Sequence, residues 1–421
     1  MHTLMNMGLL CYLKWPELHI YRVKNDLQTG EYMSIIPVIA MILQLQVSSG
    51  LDQLIASGFE PLKNKSIAVL TNHSAVDKNG LHLLEHLKNQ DGIRIKAILS
   101  PEHGFYGDFD QENIPDSKHP ETGVRIFSLY GDTRKMTAGM LKDVDLLLFD
   151  IQDIGVRFYT YQTTLLYAME ACAEFGIPFT VLDRPNPIGG NRFYGPSLDA
   201  NRVSFTGAFP MPVIHGMTMG ELAKMFHGEK AMKLQLDVIL CGNWKRSMLF
   251  HETGLLWVNP SPNMRNLTQA ILYPAIGLLE RTNLSVGRGT DEPFERFGAP
   301  WIQPNSFART LNSMGLKGVA FVPFFFTPSS GPYKDESCGG VHILLKDERV
   351  FDPIQVSYSI FRLLIRMYPT CYKPDKFISL LANQEAYEGC IGPSDLSVVR
   401  ASERKYLKEF KKIRKAYLLY D

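Results

Sequence analysis

The sequence predicts an α/β fold built on a parallel sheet and followed by a second domain. From Leu51 to about Pro196, short apolar runs rich in β-branched residues alternate with stretches of helical periodicity. This alternation is typical of right-handed β-α-β units, which form parallel sheets. The chain has 421 residues, whereas a single hydrophobic core stops growing at roughly 250 to 300 residues. Two domains are therefore expected.

The elements of the first domain follow in order along the chain. Its predicted strands are the apolar runs 67–70, 93–99, 146–149 and 179–182. Helical stretches lie between them, the clearest at 163–174, where Leu166, Met169, Glu170 and Ala173 fall at i, i+3, i+4 and i+7. Gly176 ends that helix before the last strand.

A second region begins near residue 201 with turn-rich sequence. It continues through a predicted helix at 218–227, a strand at 234–240 and an amphipathic helix at 402–420. In that last helix an aromatic and aliphatic stripe, including Phe410 and Ile413, is expected to pack in the core, with its lysines and arginines in solvent. The predicted division is residues 1–50 as an N-terminal extension, 51–205 as the parallel-sheet domain and 206–421 as an auxiliary α/β domain.

Residues 34–47 are apolar apart from Gln44 and Gln46. They are too few to span a bilayer, which takes about 20 residues, so no integral membrane span is expected. With residues 33–50 taken together, the segment resembles the apolar core of a secretory signal, although no basic residues precede that core. We therefore predict a secreted or periplasmic protein. A cytoplasmic protein whose residues 34–47 form an ordinary first helix is the alternative.

Charge and cysteine spacing exclude several classes of partner. The chain has 44 Lys and Arg against 43 Asp and Glu, a formal charge of +1, so no overall field favours nucleic acid or anionic lipid. The six cysteines lack the paired short spacing of a zinc site. Gly287 and Gly289 form only a lone Gly-x-Gly, and no Walker-type loop is present. No cofactor and no metal are predicted, and the oligomeric state stays open.

Polar side chains follow each predicted strand of the first domain. The carboxyl ends of parallel strands meet at one edge of the sheet, and open α/β sheets bind ligands there. The residues in these positions are Asn72 and His73, Glu102 and His103, Asp150 and Asp153, and Asp183 and Arg184.

Glu102 is the first candidate for acid or base catalysis. Beside the apolar Phe105 and Tyr106 it could keep a proton at neutral pH and donate it. In the alternative interpretation, Glu102 caps the next helix or holds its loop.

The stretch 150–161 is the densest polar and aromatic cluster of the chain. Asp150, Asp153, Arg157, Tyr159 and Tyr161 suit a sugar site, since aromatic faces stack on pyranose rings and charged groups bind hydroxyls or a carboxylate. Alternatively, one of the aspartates pairs with Arg157 and only fixes the loop.

Two polar loops of the second region, around 259–264 and 280–290, supply further candidates in Asn263, Asn283 and Arg288. Two other functions remain open from the residues alone. His73, Glu102 and Asp150 could bind the metal of a metal-dependent hydrolase. The same edge of the sheet could also bind a sugar without cleaving it.

Five motifs in order resemble the exo-acting β-N-acetylmuramidase family of bacterial cell-wall recycling, from Leu51 to Asp421. They are Ser100-Pro-Glu-His-Gly-Phe105, Asp150-Ile-Gln-Asp-Ile-Gly-Val-Arg-Phe-Tyr-Thr-Tyr161, Asp183-Arg-Pro-Asn-Pro187, Pro260-Ser-Pro-Asn-Met264, and Thr282-Asn-Leu-Ser-Val-Gly-Arg-Gly-Thr290 followed by Pro293-Phe-Glu295. Two positions depart from the pattern: Arg281 stands where a glycine is expected and Arg265 where a proline is expected.

The resemblance implies a Rossmann-like parallel-sheet domain with a second, smaller α/β domain and an active cleft between them. It also implies a glycoside hydrolase that releases N-acetylmuramic acid from the non-reducing end of peptidoglycan-derived disaccharides or short glycans, with Glu102 as the catalytic residue. The second group is left open between Asp150, Asp153 and the acetamido group of the sugar itself. Arg157 and Arg288, then Arg184, are the candidates for binding the lactyl carboxylate of muramic acid.

Overall fold

The computed structural model describes residues 46–110, 113–393 and 395–421. Most of the signal-like segment 33–50 lies outside these residues. Its last residues are part of the fold: Ser48 pairs with Gly242, and the Ser49 side chain caps the helix Gly50–Ala56. In this described part of the chain, no helix is both long and apolar enough to cross a membrane.

The larger of two sheets in the described residues has seven strands. In chain order its strands are β1 (Ser66–Thr71), β2 (Arg94–Ser100), β3 (Ser117–Lys118), β4 (Arg125–Ser128), β5 (Leu146–Asp150), β6 (Phe179–Leu182) and β7 (Leu236–Ile239). Their spatial order is β3-β4-β2-β1-β5-β6-β7. Every pair is parallel except β3 with β4. The predicted parallel sheet is confirmed, and four of its strands coincide with the predicted apolar runs.

Helices cover both faces of this sheet, so its central strands are buried throughout, as in other parallel sheets. The helices that cover the sheet are α1 (Gly50–Ala56), α2 (Leu83–Leu87), α3 (Tyr161–Phe175) and α4 (Met219–Glu229). Leu51 and Leu84 pack on one side, with Leu165 and Leu222 in a second core. As predicted, Gly176 ends α3 in a left-handed conformation with φ of 68°.

Strand β7 joins β6 in parallel, with Phe179 opposite Leu236. Helix α4 packs against both of these strands. The parallel sheet therefore continues past residue 205. The predicted domain boundary between residues 205 and 206 separates β7 and α4 from the sheet to which they belong.

A smaller antiparallel sheet follows, in the order β8-β10-β9. Its strands are β8 (Arg296–Ala299), β9 (Val319–Phe326) and β10 (Cys338–Leu345). Within the described residues, the α-helices that accompany it are α5 (Leu267–Ile276), α6 (Pro304–Ser313), α7 (Pro353–Met367), α8 (Ile378–Leu381), α9 (Gln384–Ile391) and α10 (Leu396–Lys415). The predicted α/β architecture, a Rossmann-like parallel sheet with a second, smaller α/β domain, is thus confirmed.

The last helix differs in detail from its prediction. Phe410 is buried, but Ile413 is 43% exposed. Arg414, expected in solvent, is buried instead and donates hydrogen bonds to the carbonyls of His215, Gly216 and Gly190. The buried face of α10 is therefore rotated from the predicted one, because these main-chain carbonyls attract a guanidinium.

Candidate active site

A cleft with a volume of about 100 Å³, open on one side, lies beside the carboxyl end of β2. The loop after β2, the start of α3 and the loops flanking α5 supply its lining. The lining residues are Glu102, His103, Asp110, Phe158, Tyr159, Thr160, Tyr161, Thr206, Ser261, Asn263, Met264, Tyr273, Glu280, Arg281, Arg288, Phe294 and Leu380.

Glu102 lies two residues beyond the end of β2 and is half-buried. The Thr160 hydroxyl donates a hydrogen bond to its Oε2 over 2.5 Å. Its neighbour His103 has a left-handed backbone with φ of 71°, and His103 Nδ1 donates to the Phe109 carbonyl over 2.6 Å. The loop thus fixes Glu102 at the cleft, and none of the described residues forms a hydrogen bond with its Oε1.

Aromatic rings form one wall of the cleft. The centroids of Tyr159 and Tyr161 are 4.9 Å apart at 76°, and those of Tyr159 and Tyr273 are 5.9 Å apart. Tyr161 donates to the Pro260 carbonyl over 2.6 Å, which joins α3 to the loop before α5. Burial raises the pKa of Tyr159, so its phenol stays neutral in solution near pH 7. Such a wall suits an uncharged pyranose face.

The other wall is charged. Arg288 Nε lies 2.5 Å from Glu280 Oε1, and Arg288 Nη1 lies 3.2 Å from Asp110 Oδ1. Asn263 donates to Asp110 Oδ2 over 2.8 Å. Burial lowers the pKa of Arg288, but the carboxylates of Glu280 and Asp110 outweigh it, so the net pKa is above its usual value. Arg288 therefore stays charged and holds both carboxylates at this wall.

Six of the twelve predicted site residues line the cleft and six do not. Those in the cleft are Glu102, His103, Tyr159, Tyr161, Asn263 and Arg288. Those elsewhere are His73, Asp150, Asp153, Arg157, Asp183 and Asn283. The predicted shielding of Glu102 by Phe105 and Tyr106 is also corrected: Phe105 packs in the core and Tyr106 is 46% exposed, and neither lines the cleft.

Asp150, predicted as catalytic, is fully buried in an ion pair with Arg184. The two Asp150 oxygens accept hydrogen bonds from Arg184 Nε over 2.5 Å and Arg184 Nη2 over 2.9 Å. Burial raises the pKa of Asp150, and Arg184 opposes that shift. With both oxygens occupied, Asp150 holds β5 to the loop after β6, and Arg184 is not available for a lactyl carboxylate.

Asp153 also lies outside the cleft. Its Oδ2 accepts from the Gly155 amide over 2.7 Å and lies 3.8 Å from Nε2 of the buried His215. The side chain is 7% exposed. These contacts place Asp153 in the turn that leads to α3, so the prediction of a catalytic carboxylate here is not supported by its position.

Arg157 is fully buried and binds main-chain carbonyls in place of a substrate. Nη1 donates to Pro196 and Met211, and Nη2 donates to Leu380 and Leu381. Burial lowers the pKa of Arg157 to about 10, which leaves it charged at neutral pH. Its role is to join the loop before α3 to three distant segments, and neither aspartate of the stretch is its partner.

Asp183 is a buried hydrogen-bond centre behind the sheet edge. It accepts from the Thr218 hydroxyl, the Tyr420 hydroxyl and the Gly220 amide over 2.6 to 2.8 Å. Burial nevertheless raises the pKa of Asp183 to about 6. This carboxylate links β6, α4 and the C-terminal segment, and it does not face the cleft.

The free energy of unfolding should respond to this shift. Asp titrates near about 4 when unfolded, so stability from Asp183 is present below that pH and is lost as pH rises through about 6. We expect Asp183→Asn, which is neutral throughout, to gain up to about 3 kcal/mol relative to wild type between pH 4 and pH 7. Urea unfolding of both proteins at the two pH values measures this. A difference that does not change with pH would contradict the assignment.

His73 and Asn283 are engaged in loop contacts outside the cleft. His73 Nε2 donates to the Asn259 carbonyl over 2.6 Å, and burial lowers the pKa of His73. Asn283 donates to the Cys371 carbonyl and accepts from the Lys373 amide. His73, Glu102 and Asp150 therefore do not share a site. Throughout residues 46–110, 113–393 and 395–421, no three His, Cys, Asp or Glu side chains are grouped to hold a metal ion.

Sequence reasoning missed several lining residues. Glu280 and Arg281 are the first two residues of the polar loop 280–290, and the polarity of this loop was the signal that could have identified them as lining residues. Thr160 lies within the stretch 150–161 but was not singled out there. Asp110 and Tyr273 belong to no motif, because their place in the cleft depends on how α5 and the loop after β2 pack against α3.

Comparison with known proteins agrees with the predicted resemblance. The family described as exo-β-N-acetylmuramidase NamZ matches with its N-terminal model over residues 67–268 and its C-terminal model over residues 271–420. A peptidoglycan β-N-acetylmuramidase NamZ of Bacillus subtilis (strain 168) is 40% identical over 379 residues, which covers 89% of this chain and 92% of the relative.

Two crystal structures of DUF1343 family proteins from Bacteroides fragilis NCTC 9343 share the fold at 32% sequence identity. The first has a TM-score of 0.84 and covers 90% of this chain and all of its own. The second has a TM-score of 0.73 and covers 89% of this chain and 99% of its own. Both halves of the chain match the family models, and a relative matches nearly its whole length, so this chain belongs to the exo-β-N-acetylmuramidase NamZ family.

Proposed function

We propose that this protein is a glycoside hydrolase that removes N-acetylmuramic acid from the non-reducing end of peptidoglycan-derived disaccharides or short glycans. The family and the named activity of the B. subtilis relative support this function. The observation that carries it here is a cleft in which Glu102 faces buried tyrosines and two further carboxylates. Release of the chromophore from an aryl β-N-acetylmuramic acid tests it, and no turnover by wild type would reject it.

Glu102 is our general acid. Glycosidic cleavage requires a carboxylic acid that protonates the leaving oxygen. Because Thr160 donates to Oε2, a proton on Glu102 resides on Oε1, the oxygen with no hydrogen-bond partner among the residues that the structure describes. This arrangement orients the acid, and Thr160 acts as a positioning residue.

Glu280 is our candidate for the second carboxylate, in place of Asp150 and Asp153. It lines the same cleft as Glu102, and its side chain is 22% exposed, against 46% for Asp110. Arg288 Nε lies 2.5 Å from Glu280 Oε1, so the two side chains form an ion pair that fixes this carboxylate in the cleft. A carboxylate held this way can attack the sugar, activate water, or orient the acetamido group of the substrate.

Arg288 is the remaining candidate for the lactyl carboxylate. Of the three arginines predicted for this role, it alone lines the cleft, since Arg157 and Arg184 are bound elsewhere. Its Nε and Nη1 face Glu280 and Asp110. The lactyl group would bind at Nη2.

Replacement of Glu280 by Gln should lower kcat/KM by at least about 100-fold, the usual scale for loss of an acid or base group. Asp110→Asn is the matched control, since it removes the other carboxylate beside Arg288 and should have a smaller effect. Kinetics on a disaccharide with non-reducing N-acetylmuramic acid measures both. An equal or larger loss in Asp110→Asn would transfer the role from Glu280 to Asp110.

Location outside the cytoplasm stays a prediction, since it depends on the signal-like segment 33–50. Mass spectrometry of the mature N-terminus tests it. A start within or just after this segment supports export, whereas an intact Met1 in the cytoplasmic fraction contradicts it.

A further inference from the structure

Two arginines line the cleft, and their surroundings differ. Arg288 is held between Glu280 and Asp110. The neighbouring Arg281 lines the same cleft but is exposed. Across the described residues, no hydrogen bond or ion pair engages the Arg281 guanidinium. Arg281 is thus a charged group in the cleft whose donors remain available to a ligand.

The exposure of the lining residues gives the cleft an inner part and a mouth. Tyr161, Tyr273 and Phe294 are buried, at 1%, 6% and 1% exposure. Glu102 is half-buried and Arg281 is exposed. A sugar that enters this cleft by its end places its terminal ring against the buried tyrosines. The rest of the glycan then extends outward past the mouth, where Arg281 lies.

We propose that Arg281 binds a carboxylate on the departing part of the substrate, beyond the bond that is cleaved. This inference rests on the proposed function. In an alternating glycan the sugar after the terminal muramic acid is N-acetylglucosamine, which is neutral. The next muramic acid has a lactyl carboxylate, or peptide carboxylates if a stem is attached. A guanidinium recognises both groups through the same charge-assisted hydrogen bonds.

The proposal makes Arg281 a determinant of substrate length and charge. The enzyme should prefer a trisaccharide with a second muramic acid over a disaccharide that ends in N-acetylglucosamine. Because Arg281 is solvent-exposed, its interaction is near the weaker end of charge-assisted bonds. We expect a contribution of about tenfold in kcat/KM.

The test compares kcat/KM for three substrates: the disaccharide, the trisaccharide with a free lactyl group on its reducing-end muramic acid, and the trisaccharide with a dipeptide on that lactyl group. In Arg281→Gln, the trisaccharide to disaccharide ratio should fall about tenfold. Arg281→Lys should keep part of the preference. Arg265→Gln, which removes an exposed arginine outside the cleft, should keep the full wild-type ratio.

If Arg281→Gln lowers the trisaccharide to disaccharide ratio of kcat/KM for the substrate with the free lactyl group, the lactyl carboxylate is the ligand. If the ratio falls only for the substrate with the dipeptide, the peptide carboxylate is the ligand. An unchanged ratio, or an equal loss on all three substrates, would overturn the proposal. If wild type cleaves none of them, the proposed hydrolase fails. Calorimetric affinities of the trisaccharide and disaccharide for wild type and Arg281→Gln then decide the role of Arg281, since equal affinity ratios in the two proteins would overturn it.

Discussion

Replacement of Glu102 by Gln should lower the kcat for release of N-acetylmuramic acid by at least about 100-fold, the lower end for loss of a general acid. Gln has the shape of Glu and can still accept the hydrogen bond from Thr160, but it has no acidic proton. The terminal sugar should therefore bind with similar affinity. Steady-state kinetics on a disaccharide with non-reducing N-acetylmuramic acid gives kcat and KM separately.

The leaving group provides an internal control for this variant. An aryl group with a low phenol pKa departs without a proton, so Glu102→Gln should lose less activity on such a substrate than on the disaccharide. Thr160→Val is the matched variant, since it removes only the hydrogen bond to Glu102 and should cause a smaller loss. Undiminished cleavage of the disaccharide by Glu102→Gln would remove Glu102 from this role.

Replacement of Asp150 by Ala should reduce the free energy of unfolding by about 3 to 5 kcal/mol, because it leaves the buried Arg184 without its carboxylate. Among the folded molecules, kcat/KM should change by less than about threefold, which corresponds to a change of about 0.6 kcal/mol in activation free energy. Urea unfolding and active-site kinetics measure the two effects separately.

If Asp150→Ala does not fold, Asp150→Asn keeps the shape of the side chain and one acceptor oxygen for Arg184. Its loss of stability should be smaller, with kcat/KM again preserved. A stable Asp150→Asn enzyme with a loss of turnover comparable to that of Glu102→Gln would restore Asp150 to the catalytic chemistry.

The sequence was sufficient to predict the parallel sheet, because strands buried on both faces appear as continuous apolar runs such as 67–70 and 146–149. It also placed polar residues correctly at the carboxyl ends of these strands. Whether such a residue faces a ligand depends on its partners. Asp150 is neutralised by Arg184, and Asp183 accepts hydrogen bonds from Thr218 and Tyr420. These partners are 34 to 237 residues away in sequence.

The second wall of the cleft was the harder part to predict. Glu280 and Tyr273 belong to segments with no strand-end position, and they reach Glu102 only because α5 and the following loop pack beside α3. Likewise, Arg157 looked like a ligand group in a polar stretch, yet its four carbonyl partners come from three distant segments. Whether these side chains face the cleft depends on tertiary packing, which no local pattern of residues encodes.

The central claim is that this cleft takes one terminal muramic acid at a time and cleaves the bond beyond it. The most direct measurement is mass spectrometry of the products from a defined tetrasaccharide whose non-reducing end is N-acetylmuramic acid, sampled through the reaction. The account predicts free N-acetylmuramic acid and a trisaccharide as the first products, and their absence with Glu102→Gln. Disaccharides as the first products, or an intact tetrasaccharide with wild type, would contradict it.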